Sequence, residues 1–281
     1  MKFEYFIATK YFLKGRRHGF VSLIAVISIL GVAVGVMALI VVLAVMSGFD
    51  RELKSKIVGV QPHVILQGIE GVSNPEEVRN MISSLKIPEI SSIAPFVQGQ
   101  GLVRSANSAV GVVIKGIDPE HEPMDVFQKH MRFGTLEFDD IGLITDSRTK
   151  WVGRAIMGEE LAQRLRVSSG DVVTIISPAF KEDPTDAIRR AKSVPFVVSG
   201  IFRLGMSDFD LNLVLVNLKQ GRALYQLGDR VTGMSIRLTD VESADRIKML
   251  IHGRFGTGYT VHSWVDLNRT FFRALQVEKR S

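Results

Sequence analysis

Hydrophobic and polar positions change their rhythm three times along this chain. In residues 3–13, FEYFIATKYFL, the residues Phe3, Phe6, Ile7, Tyr11 and Phe12 gather around one side of a helix while Lys10 and Lys14 lie elsewhere. That pattern predicts an amphipathic helix at a membrane surface, with its rings at headgroup depth. After the basic break KGRRHG, Phe20 to Met46 forms 27 consecutive residues without Asp, Glu, Lys, Arg or His. As a helix this run reaches roughly 40 Å, more than the roughly 30 Å hydrocarbon core of a bilayer. It is too long for the apolar core of a cleaved signal peptide, and a soluble helix hydrophobic all round needs a large core that the rest of the chain does not supply.

Past Met46 the period becomes helical and amphipathic. Phe49, Leu53 and Ile57 recur every four residues, with Asp50, Arg51, Glu52, Lys54 and Lys56 on the other faces. The expectation is one helix that leaves the bilayer and continues as a stalk to Gly59 and Pro62. Inside the span, Ser28, Gly31, Gly35 and Ala38 form a stripe of small residues that lets a second helix approach closely.

The remainder predicts a mixed α+β domain. HVILQG reads as a strand, and NPEEVRNMISSL as a helix with Asn74 at the N-cap and Pro75 at its first position. Strands follow at 90–97, 100–105 and 109–117, then a helix at 158–166 and the strands GDVVTIIS and FVVSGIF. Between those last two, PAFKEDPTDAIRRAKSVP at 178–195 reads as the long excursion of a hairpin. The last third predicts strand 210–217, helix 218–226, strand 231–238, helix 241–252 and strand 258–262, a contiguous ferredoxin-like lobe. Residues 264–281 predict a returning stalk helix, with Leu267, Phe271, Phe272 and Leu275 on one side. The domain boundaries so read are 1–19 interfacial, 20–46 membrane span, 47–61 stalk, 62–263 a two-lobed outer domain, and 264–281 the returning helix.

Charge changes the picture because of where it lies. The net +6 suggests nucleic acid until it is divided along the chain. Lys2, Lys10, Lys14, Arg16 and Arg17 oppose only Glu4 before the span, and residues 47–59 add a slight basic excess. The basicity flanks the span and is heavier on the N-terminal side, which predicts a cytoplasmic N-terminus and an outward-facing main domain. Nucleic acid is not an expected partner. With no cysteine, disulfide frameworks and thiolate metal sites are excluded.

Catalytic patterns are missing. The sequence has no phosphate-binding G-x-x-x-x-G-K-[ST] loop, no H-E-x-x-H and no G-x-S-x-G. Asp118, Glu120, His121 and Glu122 cluster in DPEHEP, where the flanking prolines predict a solvated turn rather than a metal site. No catalytic residue, cofactor or metal is expected, and the chain does not read as an enzyme acting alone.

The segment SLIAVISILGVAVGVMALIVVLAVMSGFDRELKSKIVGVQPHVIL resembles the first span and stalk of lipoprotein-releasing permeases of the LolC/LolE type, members of the MacB-like mechanotransmission superfamily. VMSGFDREL fits their V-M-x-G-F-[DE]-x-E-L pattern, and GVVIKGIDP, GEELAQRL and the closing W…F..A….K extend the likeness over nearly the whole chain. The resemblance implies a bacterial inner-membrane subunit with a two-lobed periplasmic core. Its partners would be a LolD-like ABC ATPase, a sister permease or a second copy, a LolA-like periplasmic carrier, lipoprotein substrates and membrane lipid. It further implies that the 178–195 hairpin docks the carrier. Ser193 and Val194 stand where the family's docking pad would fall, so the residues expected to serve are Pro178, Phe180, Pro184, Arg189, Arg190, Lys192 and Pro195. Such permeases have four spans, and Ser281 stands where the second should begin, so a fragment, a shortened product or half of a split permease is expected. The alternative readings are a membrane-tethered periplasmic adaptor, or a MacB/FtsX-like relative without transport of its own.

Overall fold

The computed structural model describes residues 3, 6, 7, 19–145, 148–178 and 191–268. The chain divides into two compact units, Met1–Ile57 and Val58–Ser281.

In the first unit, Phe3, Phe6 and Ile7 are helical and exposed. The other residues of the expected interfacial helix lie outside the described ones. Helix α1 runs from Gly19 to Val60 without a break, and its Leu23–Met46 portion is long and apolar enough to cross a membrane. Nothing interrupts the helix where the composition turns from apolar to charged, because Ser47 and Gly48 are too few to end a ladder that apolar neighbours propagate on one side and charged residues on the other.

The second unit is built on an 11-stranded sheet in the order β11-β1-β10-β2-β3-β9-β6-β8-β4, with β5 on β6 and β7 bridging β2 and β8. Its strands are β1 (Val64–Val72), β2 (Ile90–Arg104), β3 (Ala109–Ile117), β4 (Met131–Gly134), β5 (Ile141–Thr145), β6 (Arg148–Gly158), β7 (Val172–Ser177), β8 (Lys192–Phe202), β9 (Leu213–Asn217), β10 (Val231–Leu238) and β11 (Tyr259–Ser263). The helices are α2 (Pro75–Ser84), α3 (Asp125–Lys129), α4 (Glu159–Leu165), α5 (Ser207–Asn212), α6 (Leu218–Leu224), α7 (Ala244–Phe255) and α8 (Trp264–Leu267).

The pairing separates two groups of strands. β11, β1, β10 and β2 are antiparallel throughout, and with α2 and α7 packed on them they follow the βαββαβ order of a ferredoxin-like lobe. This corrects the contiguous lobe expected over 210–262. The lobe takes its first half, β1-α2-β2, from before residue 105 and its second, β10-α7-β11, from after residue 230. Everything between is an insertion, which a reading of consecutive elements cannot detect. The inserted strands join β2 in a closed ring, β2-β3-β9-β6-β8-β7, whose last pair returns to β2. β2 serves both groups because it is 15 residues long, merging the strands expected at 90–97 and 100–105.

The strand expected at 210–217 is also corrected: it begins only at Leu213, after the helical turn α5. Asp210 explains the difference. Its buried carboxylate accepts from the backbone N–H groups of Leu204, at 2.8 Å, Gly205, at 2.8 Å, and Met206, at 3.2 Å. These bonds fold the chain back on itself where an extended segment would leave the carboxylate unpaired. Gly158, at the start of α4, permits the fold-back: a Cβ there would meet Asp210 backbone atoms at 2.2–2.5 Å.

Two apolar clusters result. The larger fills the ring and the space under α2 and α7, with Leu66, Ile82, Ile114, Val198 and Ile247 fully buried. The smaller lies outside the ring over β6, β8 and β9, and gathers Phe127, Phe202, Leu213 and Leu215 around Val60, the last residue of α1. The Phe127 and Phe202 rings meet edge to face, with centroids 5.2 Å apart.

Candidate functional site

Val60 locates the most unusual chemistry in the domain. The last carbonyls of any α-helix lack intrahelical partners and carry the negative end of its dipole. At the end of α1 two of them are taken by one side chain. Arg237 on β10 donates from Nη1 to the Gly59 carbonyl and from Nη2 to the Val60 carbonyl, both at 3.2 Å. Its Nη2 also lies 3.4 Å from Glu122 Oε1, and Lys115 Nζ on β3 approaches the same oxygen at 3.6 Å. Glu122 is 5% exposed and Arg237 9%, so this ion triad is paid for in desolvation and holds only because its members face one another. Burial pushes the Glu122 carboxyl up, but Lys115, Arg237 and the nearby Ser235 hydroxyl outweigh it and hold the carboxyl below its ordinary range.

The DPEHEP turn is therefore not wholly solvated. Asp118 and His121 pair on its outer side, with His121 Nδ1 2.8 Å from Asp118 Oδ2. Those two and Glu120 bring ligand-type atoms within 4.8 Å of one another, while Glu122 turns inward. The same corner receives the returning chain. Trp264 N–H donates to the His63 carbonyl at 2.9 Å, and Asn268 Nδ2 donates to Gln61 Oε1 at 3.0 Å. Ser263 and Asp266 form a capping box that starts α8, and Lys248 donates to Asp266 at 2.8 Å. A cleft of about 310 Å³ opens beside it, with Val60, Phe127, Phe209, Leu267, Gln98 and Lys115 in its lining.

The hairpin residues are placed only in part. Pro178 is exposed and Pro195 half-buried in β8 opposite Thr174. Phe180, Pro184, Arg189 and Arg190 lie outside the described residues. Lys192 is exposed, and its Nζ donates to the Ala223 carbonyl at 2.9 Å. Opposite it in register, buried Ser177 donates to the Leu224 carbonyl at 2.7 Å, so both legs of the hairpin grip the C-terminal end of α6. Tyr225, whose phenol burial pushes up, donates to the Gln100 carbonyl at 3.1 Å just beyond.

On α1, Ser28, Gly31, Gly35 and Ala38 are exposed, and a Cβ at either glycine would meet nothing within 4 Å. Phe49, Leu53 and Ile57 fall within the helix, with their side chains outside the described ones.

Residues 25–253 match the family model for the MacB-like periplasmic core domain. The chain is similar to the lipoprotein-releasing system transmembrane protein LolC of Neisseria meningitidis serogroup B, at 32% identity over 99% of this chain and 64% of that protein. LolC of Xylella fastidiosa (strain Temecula1) is 28% identical over 97% of this chain and 63% of its own length. The transmembrane protein LolE of Haemophilus influenzae is 26% identical over 99% and 65%. The chain thus spans somewhat under two thirds of the length of these relatives.

Proposed function

The chain belongs to the family of MacB-like periplasmic core domain proteins, and from that premise we propose that it serves as a permease subunit of an ABC-type lipoprotein-releasing system. In this reading the N-terminus and the foot of α1 are cytoplasmic and the second unit lies in the periplasm of a bacterial inner-membrane protein. ATP hydrolysis belongs to a separate ATPase subunit. A sister permease or a second copy completes the membrane part, and a periplasmic carrier receives the lipoprotein at the 178–195 hairpin.

The observation that carries the reading is the end of α1. A transport subunit that performs no chemistry of its own must pass a cytoplasmic event to its outer domain through a mechanical element. An unbroken helix from Gly19 to Val60, with its last two carbonyls held by Arg237, supports that role. The shift would arrive at the triad as a pull on β10 and β3, the strands that carry Arg237 and Lys115.

Reconstitution tests it. A full-length permease containing this chain should co-purify with an ATPase subunit and pass a radiolabelled lipoprotein from proteoliposomes to a soluble carrier only when ATP is present. Arg237→Met should let hydrolysis continue while release falls. Release equal to wild type in that variant, or a lack of any stable ATPase partner, would contradict the proposal.

A further inference from the structure

The ferredoxin-like lobe holds a pocket of about 410 Å³ lined by the C-terminal half of α2, the start of β2 and His121 of the DPEHEP turn. Its composition is one-sided. Arg79 and Lys86 bring two fixed positive charges, Ser83, Ser91 and Ser92 bring three hydroxyls, and His121 adds an imidazole. No Asp or Glu lines it among the described residues, in a chain that has 29 of them. The remainder is isoleucine, with Ile82 and Ile93 buried at its floor.

Several of these groups are not satisfied within the domain. Arg79 gives Nη2 to Glu76, one turn earlier on α2, but its Nη1 is buried without a hydrogen-bond partner among the described residues. Ser92 Oγ is buried and unpartnered in the same way. Buried polar atoms in folded proteins nearly always find a partner, and a charged donor left unmatched costs more than a neutral one. An acceptor held in the pocket supplies what both lack. Asp118 engages His121 at Nδ1, 2.8 Å away, so Nε2 is the ring atom left to bond a ligand.

A helix C-terminus ordinarily disfavours an anion. Here its carbonyls are answered from within: those of Met81, Ile82 and Ser83 accept from the Ser84 hydroxyl at 2.6 Å and from the N–H groups of Leu85 and Lys86, both at 3.1 Å. Lys86 then takes φ +48°, a left-handed conformation that usually falls to Gly or Asn where a helix closes, and it brings a cation to the pocket instead.

We propose that this pocket binds a phosphate group. The guanidinium, ammonium, imidazole and three hydroxyls that line it offer more donors than the two oxygens of a carboxylate can use, and suit the larger set of oxygens on a phosphate. The source is the bare ion or a small ester, whose apolar part the isoleucines would shield. The pocket adjoins the joint at the end of α1, because Ser92 is the register partner of Arg237 and His121 immediately precedes Glu122. A phosphate held there adds negative charge beside the triad that grips the helix end, so occupancy bears on that grip. The site stands apart from the lipoprotein-release reading and does not need it.

Calorimetric titration tests it. The full chain in maltoside detergent without phosphate buffer is titrated with sodium phosphate and, separately, with n-butyl phosphate, at constant ionic strength set with chloride. Saturable binding is expected for at least one of them. Tighter binding of the ester identifies an esterified phosphate as the occupant, and equal or weaker binding identifies the bare ion. Arg79→Met should weaken binding at least about tenfold. Lys86→Met, at an exposed position where folding is not at stake, should weaken it about threefold, and Lys219→Met, an exposed lysine of α6, should leave it unchanged. Absence of saturable binding by either titrant, equal heats from chloride alone, or wild-type binding in both pocket variants would overturn the proposal. So would binding that requires a divalent cation and disappears with EDTA, which would assign the ion to Asp118, Glu120 and His121.

Discussion

The two outer sides of the strand ring use opposite chemistry. At the end of α1 the surface is buried and charged: Arg237, Glu122 and Lys115 face one another beneath the last turn of the helix. Across β2 and β7 it is exposed, with Leu102 and Val172 about half exposed and Arg104 opposite Thr174. A buried triad is an expensive way to join two elements, since apolar packing of the same volume is often as stable. What it adds is direction. A guanidinium that must satisfy two carbonyls and a carboxylate at once accepts few arrangements, so movement of the helix end is resisted or transmitted rather than absorbed. No buried charge on β2 or β7 imposes such a constraint.

That contrast can be broken most severely at Arg237. Arg237→Met leaves Glu122 with only Lys115 and frees the Gly59 and Val60 carbonyls, and urea unfolding in detergent should show a loss of about 3–5 kcal/mol. Glu122→Gln should cost somewhat less, about 2–4 kcal/mol, by leaving two cations close together with no anion. The same residue predicts a pH dependence. Its folded carboxyl titrates below the ordinary 4.5, so its contribution is complete above that value and is lost as pH falls through the lowered folded value. Stability measured from pH 6 downward should decline more steeply in wild type than in Glu122→Gln.

Gly158→Ala sharpens the picture of how the ring supports the joint. Its Cβ would collide with the Asp210 backbone, and a shift of α5 should cost about 1–3 kcal/mol in the same unfolding assay. Across β2, β7 and β8 the effects should be small. Lys192→Met, which removes one hydrogen bond from an exposed amine to the Ala223 carbonyl, should cost about 0.5–1 kcal/mol. Leu102→Lys should change stability by less than about 0.5 kcal/mol.

The legible parts of this fold are those set by local pattern. The charge-free run and the four-residue period after it describe α1, and the Asn74-Pro75 start and first-turn acids of α2 describe its N-terminus. Long-range order was not legible. The ferredoxin-like lobe is assembled from the two ends of the domain, and consecutive strands with plausible helices between them read as a neighbouring unit that does not exist. β9 was placed too early because Asp210 bonds to backbone just before it, a contact without a sequence period.

The joint was missed for a related reason. Its residues are distant in sequence and meet only when β3 and β10 lie on either side of β2 and the turn after β3 folds beneath α1. A faint signal was present. Lys115 in GVVIKGI and Arg237 in MSIRL are lone cations in otherwise uncharged strands, and a charge in such a place needs a partner.

The central claim is that α1 acts as a rod whose motion reaches the outer domain through Arg237. Its most direct test is to insert three glycines after Ser47 in a reconstituted full-length permease containing this chain and measure ATP-driven transfer of lipoprotein to the carrier, with ATPase activity followed in parallel. The account predicts continued hydrolysis with transfer reduced to the level without ATP. Transfer at the wild-type rate through the glycine break would contradict it.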